Sequence, residues 1–174
     1  KRQVMNTPFG NSITTAEHTI SLMMSLARNI PQASKSTKEG KWEKSRFMGT
    51  ELFGKTLGMI GCGNIGSLVV ERCLGLKIKV FVYDPFLSKD QTEKIGAKKV
   101  ELEDILKNSD FITLHIPKTA EKELIGEKSE LLEDGMEVIL NSFNDEVISV
   151  DLPDTIIVEI LEADAVVKGQ TASS

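Results

Sequence analysis

The 174-residue chain has little of several features that mark particular protein classes. Aromatic residues make up only 5% of it, and no run approaches the 18 consecutive apolar residues of a membrane-spanning helix. Its first ten residues lack the apolar core of a secretory signal. The two cysteines, Cys62 and Cys73, are spaced neither as a zinc site nor as a CxxC redox pair, which predicts reduced thiols and no metal site.

The chain also lacks an excess of basic residues. It has 21 Lys and Arg against 26 Asp and Glu, for a net charge of −5, so no electrostatic surface for nucleic acid is expected. With 40% hydrophobic residues the composition is that of an ordinary globular protein, and we expect it in the cytoplasm with no membrane partner. The start at Lys1 and the small, polar last residues predict a piece of a longer protein.

The first third of the sequence has a helical pattern. Thr14–Glu17 reads as a T-x-x-E capping box, and apolar residues then recur at helical intervals as far as Asn29. A second short helix is predicted to begin near Pro31 and to end at Gly40. Residues 41–54 show neither helical nor strand periodicity, and we interpret them as an ordered arm.

From Lys55 onward, short apolar runs alternate with helical stretches, as in a parallel sheet wound with right-handed crossovers. Beyond Val147 the pattern weakens, so we divide the chain into a domain of residues 1–147 and an unassigned tail of residues 148–174. The predicted strands are Thr56–Ile60, Lys79–Tyr83, Lys99–Val100, Phe111–Leu114 and Glu137–Leu140, with Thr155–Ile160 as a strand without an obvious partner. The predicted helices are Asn64–Leu74, Lys89–Ile95, Leu102–Asn108 and Lys128–Leu132.

A GxGxxG motif occupies Gly61–Gly66, between a predicted strand and a predicted helix. In that context the motif is typical of a dinucleotide-binding fold of the Rossmann type. Gly61 permits the tight turn, Gly63 lets the backbone approach a pyrophosphate, and Gly66 lets the helix pack on the strand. The amides of Asn64, Ile65 and Gly66 would hold the anion at the positive end of the helix dipole. The alternative is a glycine-rich turn that serves packing only.

An acidic residue follows the second strand, where dinucleotide-binding folds bind the adenosine ribose. Asp84 there would accept hydrogen bonds from the ribose hydroxyls and repel a 2′-phosphate, and the following Pro85 and Phe86 supply no arginine to hold one. This pattern favours NAD over NADP. The alternative is that Asp84 is a turn residue before Pro85.

Other residues have open interpretations. His115 ends a predicted strand at the carboxyl edge of the sheet and would line the cofactor cleft, unless its role is a purely structural hydrogen bond. His18, within the first helix, is interpreted as structural or as part of an interface. Trp42 and Phe47 either form an exposed patch for a partner or anchor the arm to the domain.

Five segments resemble the D-3-phosphoglycerate dehydrogenases of the D-2-hydroxyacid dehydrogenase family: MNTPFGNSITTAEH, GKWEKSRFMGTEL, GKTLGMIGCGNIG, YDPF and DFITLHIP. The resemblance extends over residues 4 to 141. It implies an NAD-binding domain whose helix Ser12 to Asn29 lies between domains and forms a homodimer. It also implies that His115, Ile116 and Pro117 line the nicotinamide side of the site. The predicted NAD-binding residues are Gly61, Gly63, Asn64, Ile65, Gly66, Asp84, Pro85, His115, Ile116 and Pro117.

The sequence departs from that family at functional positions. Ile116 replaces a common threonine, and Asn144 stands where the family has the arginine that binds the substrate carboxylate. The family's catalytic histidine and its glutamate lie further along the chain than His115, the last histidine here. We therefore assign no catalytic residue, interpret the chain as a truncated or divergent copy, and expect no turnover by it alone.

The resemblance implies a function for the complete enzyme. Such an enzyme oxidises 3-phosphoglycerate to 3-phosphooxypyruvate in serine biosynthesis, with NAD as the hydride acceptor. Two alternatives stay open at this stage: another D-2-hydroxyacid dehydrogenase, or a noncatalytic NAD-binding regulatory or dimerisation module.

Overall fold

A computed structural model describes residues 11–116 and the strands at 137–140, 150–151, 157–160 and 167–168. The described part is an α/β fold in which helices and parallel strands alternate. The helices are α1 (Ser12–Ala27), α2 (Ile30–Lys38), α3 (Asn64–Gly75), α4 (Lys89–Lys94) and α5 (Leu102–Asn108), with a 3-10 helix at Lys44–Phe47. The strands are β1 (Thr56–Ile60), β2 (Lys79–Tyr83), β3 (Lys98–Lys99), β4 (Phe111–Leu114), β5 (Glu137–Leu140), β6 (Val150–Asp151), β7 (Ile157–Ile160) and β8 (Val167–Lys168).

Six of the strands form one sheet in the order β3-β2-β1-β4-β5-β7, with every pair parallel. From β1, the chain first adds β2 and β3 on one side of the sheet, and it then adds β4, β5 and β7 on the other side. This reversal creates a topological switch point between β1 and β4, where ligands of doubly wound sheets bind. The predicted fold class is confirmed.

The centre of the sheet is buried on both faces, which explains why β1 reads as a continuous apolar run. Leu57, Met59 and Ile60 of β1 are at most 1% exposed. Val69 and Val70 of α3 are buried in the same hydrophobic core as Leu57 and Met59. Helix α3 begins at Asn64, directly after the turn that follows the strand.

Helix α1 begins earlier than the capping box predicts. Asn11 is its N-cap residue, whereas Thr14 lies within the first turn, so the predicted role of Thr14 and Glu17 as a capping box is wrong. The reason is packing: the buried face of α1 already includes Ser12 and Ala16, one helical turn apart. Because burial of this face includes Ser12, the helix begins there, one turn before Ala16, although the local capping signal favours a later start.

The arm that follows α2 is ordered and is tied to the rest of the chain by its backbone. Thr50 N donates to Ala27 O at 2.6 Å, and Gly54 N donates to Lys77 O at 3.1 Å. Trp42 is 85% exposed, whereas Phe47 is half-buried. The two aromatic residues thus differ in their surroundings, because only Phe47 is partly buried.

A carboxylate joins β1 to the chain before β4 at the amino end of the sheet. Asp110 Oδ2 accepts from Thr56 N at 2.8 Å, and Asp110 Oδ1 accepts from Lys55 Nζ at 2.8 Å. Asp110 N also donates to Thr56 O at 2.9 Å. These bonds set the register at which β1 and β4 begin.

The edges of the sheet differ in part from the prediction. Strand β3 lies at Lys98–Lys99, one residue before the predicted position, although Val100 N still donates to Val82 O at 2.9 Å. Strand β7 pairs in parallel with β5, so the strand predicted without a partner has one. The predicted helix Lys128–Leu132 lies outside the described residues, and the domain boundary at 147 stays a prediction.

Candidate cofactor site

Three loops meet at the carboxyl edge of the sheet, after β1, β2 and β4. Gly61 N, in the turn after β1, donates to Tyr83 O of β2 at 2.9 Å. His115 N, after β4, donates to Ile60 O of β1 at 2.8 Å. Backbone hydrogen bonds therefore place the glycine-rich turn between the loop that begins at Asp84 and the strand end at His115.

Gly61 needs to be glycine for two reasons. Its φ of +84° lies in the left-handed region, which a side chain disfavours. A Cβ there would lie 2.5 Å from Ile116 Cγ2 and 2.8 Å from His115 O. The turn therefore approaches the end of β4 as closely as its backbone allows.

Gly63 has a different environment from Gly61. It is exposed, and an added Cβ would meet no atom of the described residues within 4 Å. It is also the N-cap of α3, where Ser67 N donates the first helical hydrogen bond to Gly63 O at 3.0 Å. The amides of Asn64, Ile65 and Gly66 precede that bond, and Gly63 offers no side chain to accept from them. An anion can approach these donors through the open space above Gly63.

Gly66 packs α3 onto the turn and β1. A Cβ there would lie 2.9 Å from Gly61 O and 3.0 Å from Met59 Sδ. Ile65, beside it, is half-buried, whereas Asn64 is exposed. Gly61 thus lies in a tight turn and Gly66 in close helix packing, as their spacing predicts, whereas a pyrophosphate contact at Gly63 stays a prediction.

Asp84 is buried, with 8% of its surface exposed, at the end of β2. Its Oδ2 accepts from Cys62 N at 2.8 Å, and its Oδ1 accepts from Phe86 N at 2.8 Å and Leu87 N at 3.3 Å. The carboxylate therefore organises the loop after β2, as a turn residue does, and also reaches the glycine-rich turn. The contact with Cys62 was not predicted, because no sequence signal identifies a backbone amide as a partner.

The loop after β2 is fixed from a second direction. Lys99 Nζ of β3 donates to Leu87 O, and Ser88 begins α4 with a complete capping box. Pro85 is exposed, and Phe86 is 93% exposed. The contact of Lys99 is a second one that sequence reasoning missed, since it depends on the pairing of β3 with β2.

His115 lies half-buried at the end of β4, with Nε2 at 3.2 Å from Thr113 Oγ1. Burial lowers the pKa of His115 to about 4, from an ordinary value of 6.5. The imidazole is therefore neutral at physiological pH. It contributes no positive charge to the edge of the sheet where the glycine-rich turn lies.

This histidine gives the chain a stability that depends on pH. Because the folded pKa of about 4 is lower than 6.5, the unfolded chain takes up the proton first as the pH falls. We expect the free energy of unfolding to be highest above pH 6.5 and to fall toward pH 4 by about 1 to 3 kcal/mol from this partly exposed group. Urea unfolding at several pH values should show a smaller fall for His115→Gln. Parallel curves for the two proteins would contradict this role of His115.

Comparison with known proteins identifies the family to which this chain belongs. Residues 20–141 match the family described as "D-isomer specific 2-hydroxyacid dehydrogenase, NAD binding domain". The chain belongs to this family. The geometry at the carboxyl edge is thus that of an NAD-binding domain, and the predicted cofactor, NAD, is confirmed.

The relatives of this 2-hydroxyacid dehydrogenase domain are longer than the chain. It is 51% identical over 138 residues to the D-3-phosphoglycerate dehydrogenase of Archaeoglobus fulgidus, a match that covers 78% of this chain and 26% of that protein. It is 50% identical over 114 residues to the human D-3-phosphoglycerate dehydrogenase, covering 66% of this chain and 21% of that one. The chain therefore spans about a quarter of the curated relatives it matches.

Solved structures agree with the fold of this family. D-lactate dehydrogenase from Aquifex aeolicus, complexed with NAD and lactic acid, superposes with a TM-score of 0.71 at 32% identity, covering 77% of this chain and 41% of that one. NAD-dependent formate dehydrogenase from Staphylococcus aureus, in complex with NAD, gives a TM-score of 0.69 at 29% identity, covering 76% of this chain and 40% of that one.

The structure brings most of the predicted site residues to one edge of the sheet. The motif glycines, Asp84 and His115 lie on the three loops that meet there, together with Pro85 and Ile116. Pro117 and Asn144 lie outside the described residues. No helix among the described residues is both long and apolar enough to cross a membrane.

Proposed function

We propose that NAD binds at the carboxyl edge of the sheet through the ten predicted residues. The observation that carries this proposal is the open space over Gly63, beside backbone amides that precede the first bond of α3. The amides of Asn64, Ile65 and Gly66 would hold the pyrophosphate. His115, Ile116 and Pro117 would line the nicotinamide side, as the resemblance implies.

Asp84 supports a preference for NAD over NADP in this proposal. Its buried carboxylate would accept from a ribose hydroxyl of NAD and repel the 2′-phosphate of NADP. A carboxylate has about four acceptor positions, of which three are taken by backbone amides. Among the described residues, Oδ2 accepts one hydrogen bond, from Cys62 N, so the remaining position is on that oxygen.

We further propose that the chain is the NAD-binding part of a D-3-phosphoglycerate dehydrogenase. Identities of 43% to 51% to enzymes of that name support this activity over that of the D-lactate and formate dehydrogenases, which are at most 32% identical. The bound cofactor would accept a hydride from the substrate of the complete protein. The residues described here bind and orient the cofactor, and a location in the cytoplasm fits this role.

Titration of the purified chain with NADH and with NADPH tests the cofactor site. Calorimetry and nucleotide fluorescence measure the binding. We expect NADH to bind and NADPH to bind at least about tenfold more weakly, the effect of losing one charge-assisted hydrogen bond. No heat and no fluorescence change at millimolar NADH would refute the site. Equal affinity for both nucleotides would refute the role of Asp84 in selecting NAD.

We also propose that the chain forms a homodimer through residues 12–54, a segment that contains α1, α2 and the arm. Large apolar side chains are concentrated on this segment and left exposed. Single exposed apolar residues are ordinary, but such a concentration is typical of an interface. These residues are Ile13, Met24, Ile30, Trp42, Met48 and Phe53, of which Trp42 is 85% and Phe53 74% exposed.

Sedimentation velocity tests the dimer. The wild-type chain should sediment as a dimer, and the double variant Trp42→Glu, Phe53→Glu as a folded monomer, because two buried charges at an interface are strongly unfavourable. Phe86→Glu is the matched control, since Phe86 is 93% exposed but lies outside α1 and the arm. A monomeric wild-type chain, or a dimeric double variant, would contradict the proposal.

A further inference from the structure

One buried carboxylate connects two loops of the candidate site. Asp84 Oδ2 accepts from the amide of Cys62, in the turn after β1, and Oδ1 accepts from the amides of Phe86 and Leu87, in the loop after β2. The two loops belong to different strands, and each oxygen serves one of them. Asp84 is therefore placed to couple the position of one loop to that of the other.

The bond to Cys62 lies just beyond the hydrogen-bond ladder between β1 and β2. Gly61 N donates to Tyr83 O at 2.9 Å, and the next amide, that of Cys62, donates to the Asp84 carboxylate instead of to a strand. Hydrogen bonds to a charged acceptor are stronger than those between neutral groups, and burial strengthens them further. The carboxylate thus holds the first amide that follows the last ladder bond, at the point where the turn leaves the sheet.

We propose that Asp84 is a positioning residue that holds the glycine-rich turn through the amide of Cys62, in addition to any contact with ribose. The importance of this hold for nucleotide binding rests on the function proposed above. The hold itself is a property of the free chain, so it is tested without nucleotide. If ribose binds to the free position on Oδ2, the same oxygen touches both the cofactor and the turn that binds its pyrophosphate.

The two cysteines provide the test. Cys62, in the turn, is 4% exposed, and burial together with the charge of Asp84 raises the pKa of its thiol to about 11. Cys73, in α3, is fully buried, and burial raises the pKa of its thiol to about 12. Alkylation by iodoacetamide, resolved by peptide mass spectrometry, reports opening of the turn at Cys62 and global unfolding at Cys73.

We expect Asp84→Ala to accelerate alkylation of Cys62 about tenfold or more, the loss of one hydrogen bond to a charged group, and to leave Cys73 within about twofold of wild type. Removing the charge also lowers the pKa of Cys62 and raises its reactivity, so Asp84→Asn serves as the matched control. Asparagine lacks the charge but keeps one acceptor oxygen. We expect Cys62 to react at least about fivefold faster in Asp84→Ala than in Asp84→Asn.

A second control removes a carboxylate from the opposite end of β1. Asp110→Ala also removes a carboxylate that accepts a hydrogen bond from a strand amide, that of Thr56. This bond lies far from the glycine-rich turn. It should leave the ratio of Cys62 to Cys73 alkylation unchanged. In the unmodified chain, amide hydrogen exchange at Cys62 should be within about tenfold of that at Gly61, whose amide is bonded to β2.

Several results would overturn the proposal. Equal acceleration in Asp84→Ala and Asp84→Asn would show that only the charge matters. Equal acceleration of both cysteines would show a global loss of stability, and unchanged Cys62 would show that the turn is held by other contacts. Unprotected exchange of the Cys62 amide in the wild-type chain would overturn it without any variant. None of these results depends on NADH binding, which is measured separately.

Discussion

Replacing Gly63 with valine is expected to abolish NADH binding while leaving the fold intact. The residue is exposed, its φ is −77°, and an added Cβ meets no described residue within 4 Å, so the Cβ of a larger residue causes no clash. The same side chain would occupy the space through which a pyrophosphate reaches the amides at the start of α3. We expect a loss of about 3 kcal/mol or more of binding free energy, since hydrogen bonds to a charged group are lost.

Calorimetric titration with NADH measures this loss, and thermal unfolding checks the fold. Gly75→Val is the matched control, because Gly75 lies in the same helix, is exposed, and also has nothing within 4 Å of an added Cβ. It sits at the opposite end of α3 and should bind NADH as the wild type does. Undiminished binding by Gly63→Val would place the pyrophosphate elsewhere.

The Gly61→Ala variant should instead lose stability. The alanine would have a φ of +84° and a Cβ 2.5 Å from Ile116 Cγ2. Left-handed backbone costs about 1 to 2 kcal/mol for a residue with a Cβ, and overpacking costs about 1 to 3 kcal/mol more. A total of about 2 to 5 kcal/mol is a large part of the stability of an ordinary domain.

Urea unfolding tests this expectation, and Gly40→Ala is its control. Gly40 has a φ of +77° but nothing within 4 Å of an added Cβ, so it has the backbone cost without the clash. The free energy of unfolding should fall further for Gly61→Ala than for Gly40→Ala. Equal losses in the free energy of unfolding would mean that the turn can shift at little cost and that its close approach to His115 and Ile116 is not required.

Buried apolar runs made the centre of this fold predictable from sequence. The structure places β1, β2, β4 and β5 at the predicted residues, and α3 differs from its predicted end by one residue. Strand β1 is specified locally, because a strand buried on both faces needs consecutive apolar residues, and the turns that follow the strands need glycine or acidic residues. The tight turn at Gly61 and the close packing at Gly66 followed from the spacing of the motif for the same reason.

Features that depend on tertiary contacts could not be predicted in this way. Thr14 has the spacing of a capping residue, but burial of Ser12 starts α1 earlier. The sequence is compatible with two separate interpretations of Asp84, as a ribose ligand or as a turn residue. The structure shows that its turn contacts extend to Cys62, a residue of another loop. Sequence spacing carries no information about such an amide, since the contact arises only when β1 and β2 pair.

The strand order has a consequence for how the chain folds as it is synthesised. Strand β1 is made first and lies in the middle, β2 and β3 extend the sheet on one side, and β4, β5 and β7 then extend it on the other. Each new strand of this sheet can therefore add to an edge that already exists, without inserting between paired strands. Because β1 and β2 are closer in sequence than β1 and β4, their loop closes at a lower entropic cost. We expect the half of the sheet that carries Asp84 to form before the half that carries His115.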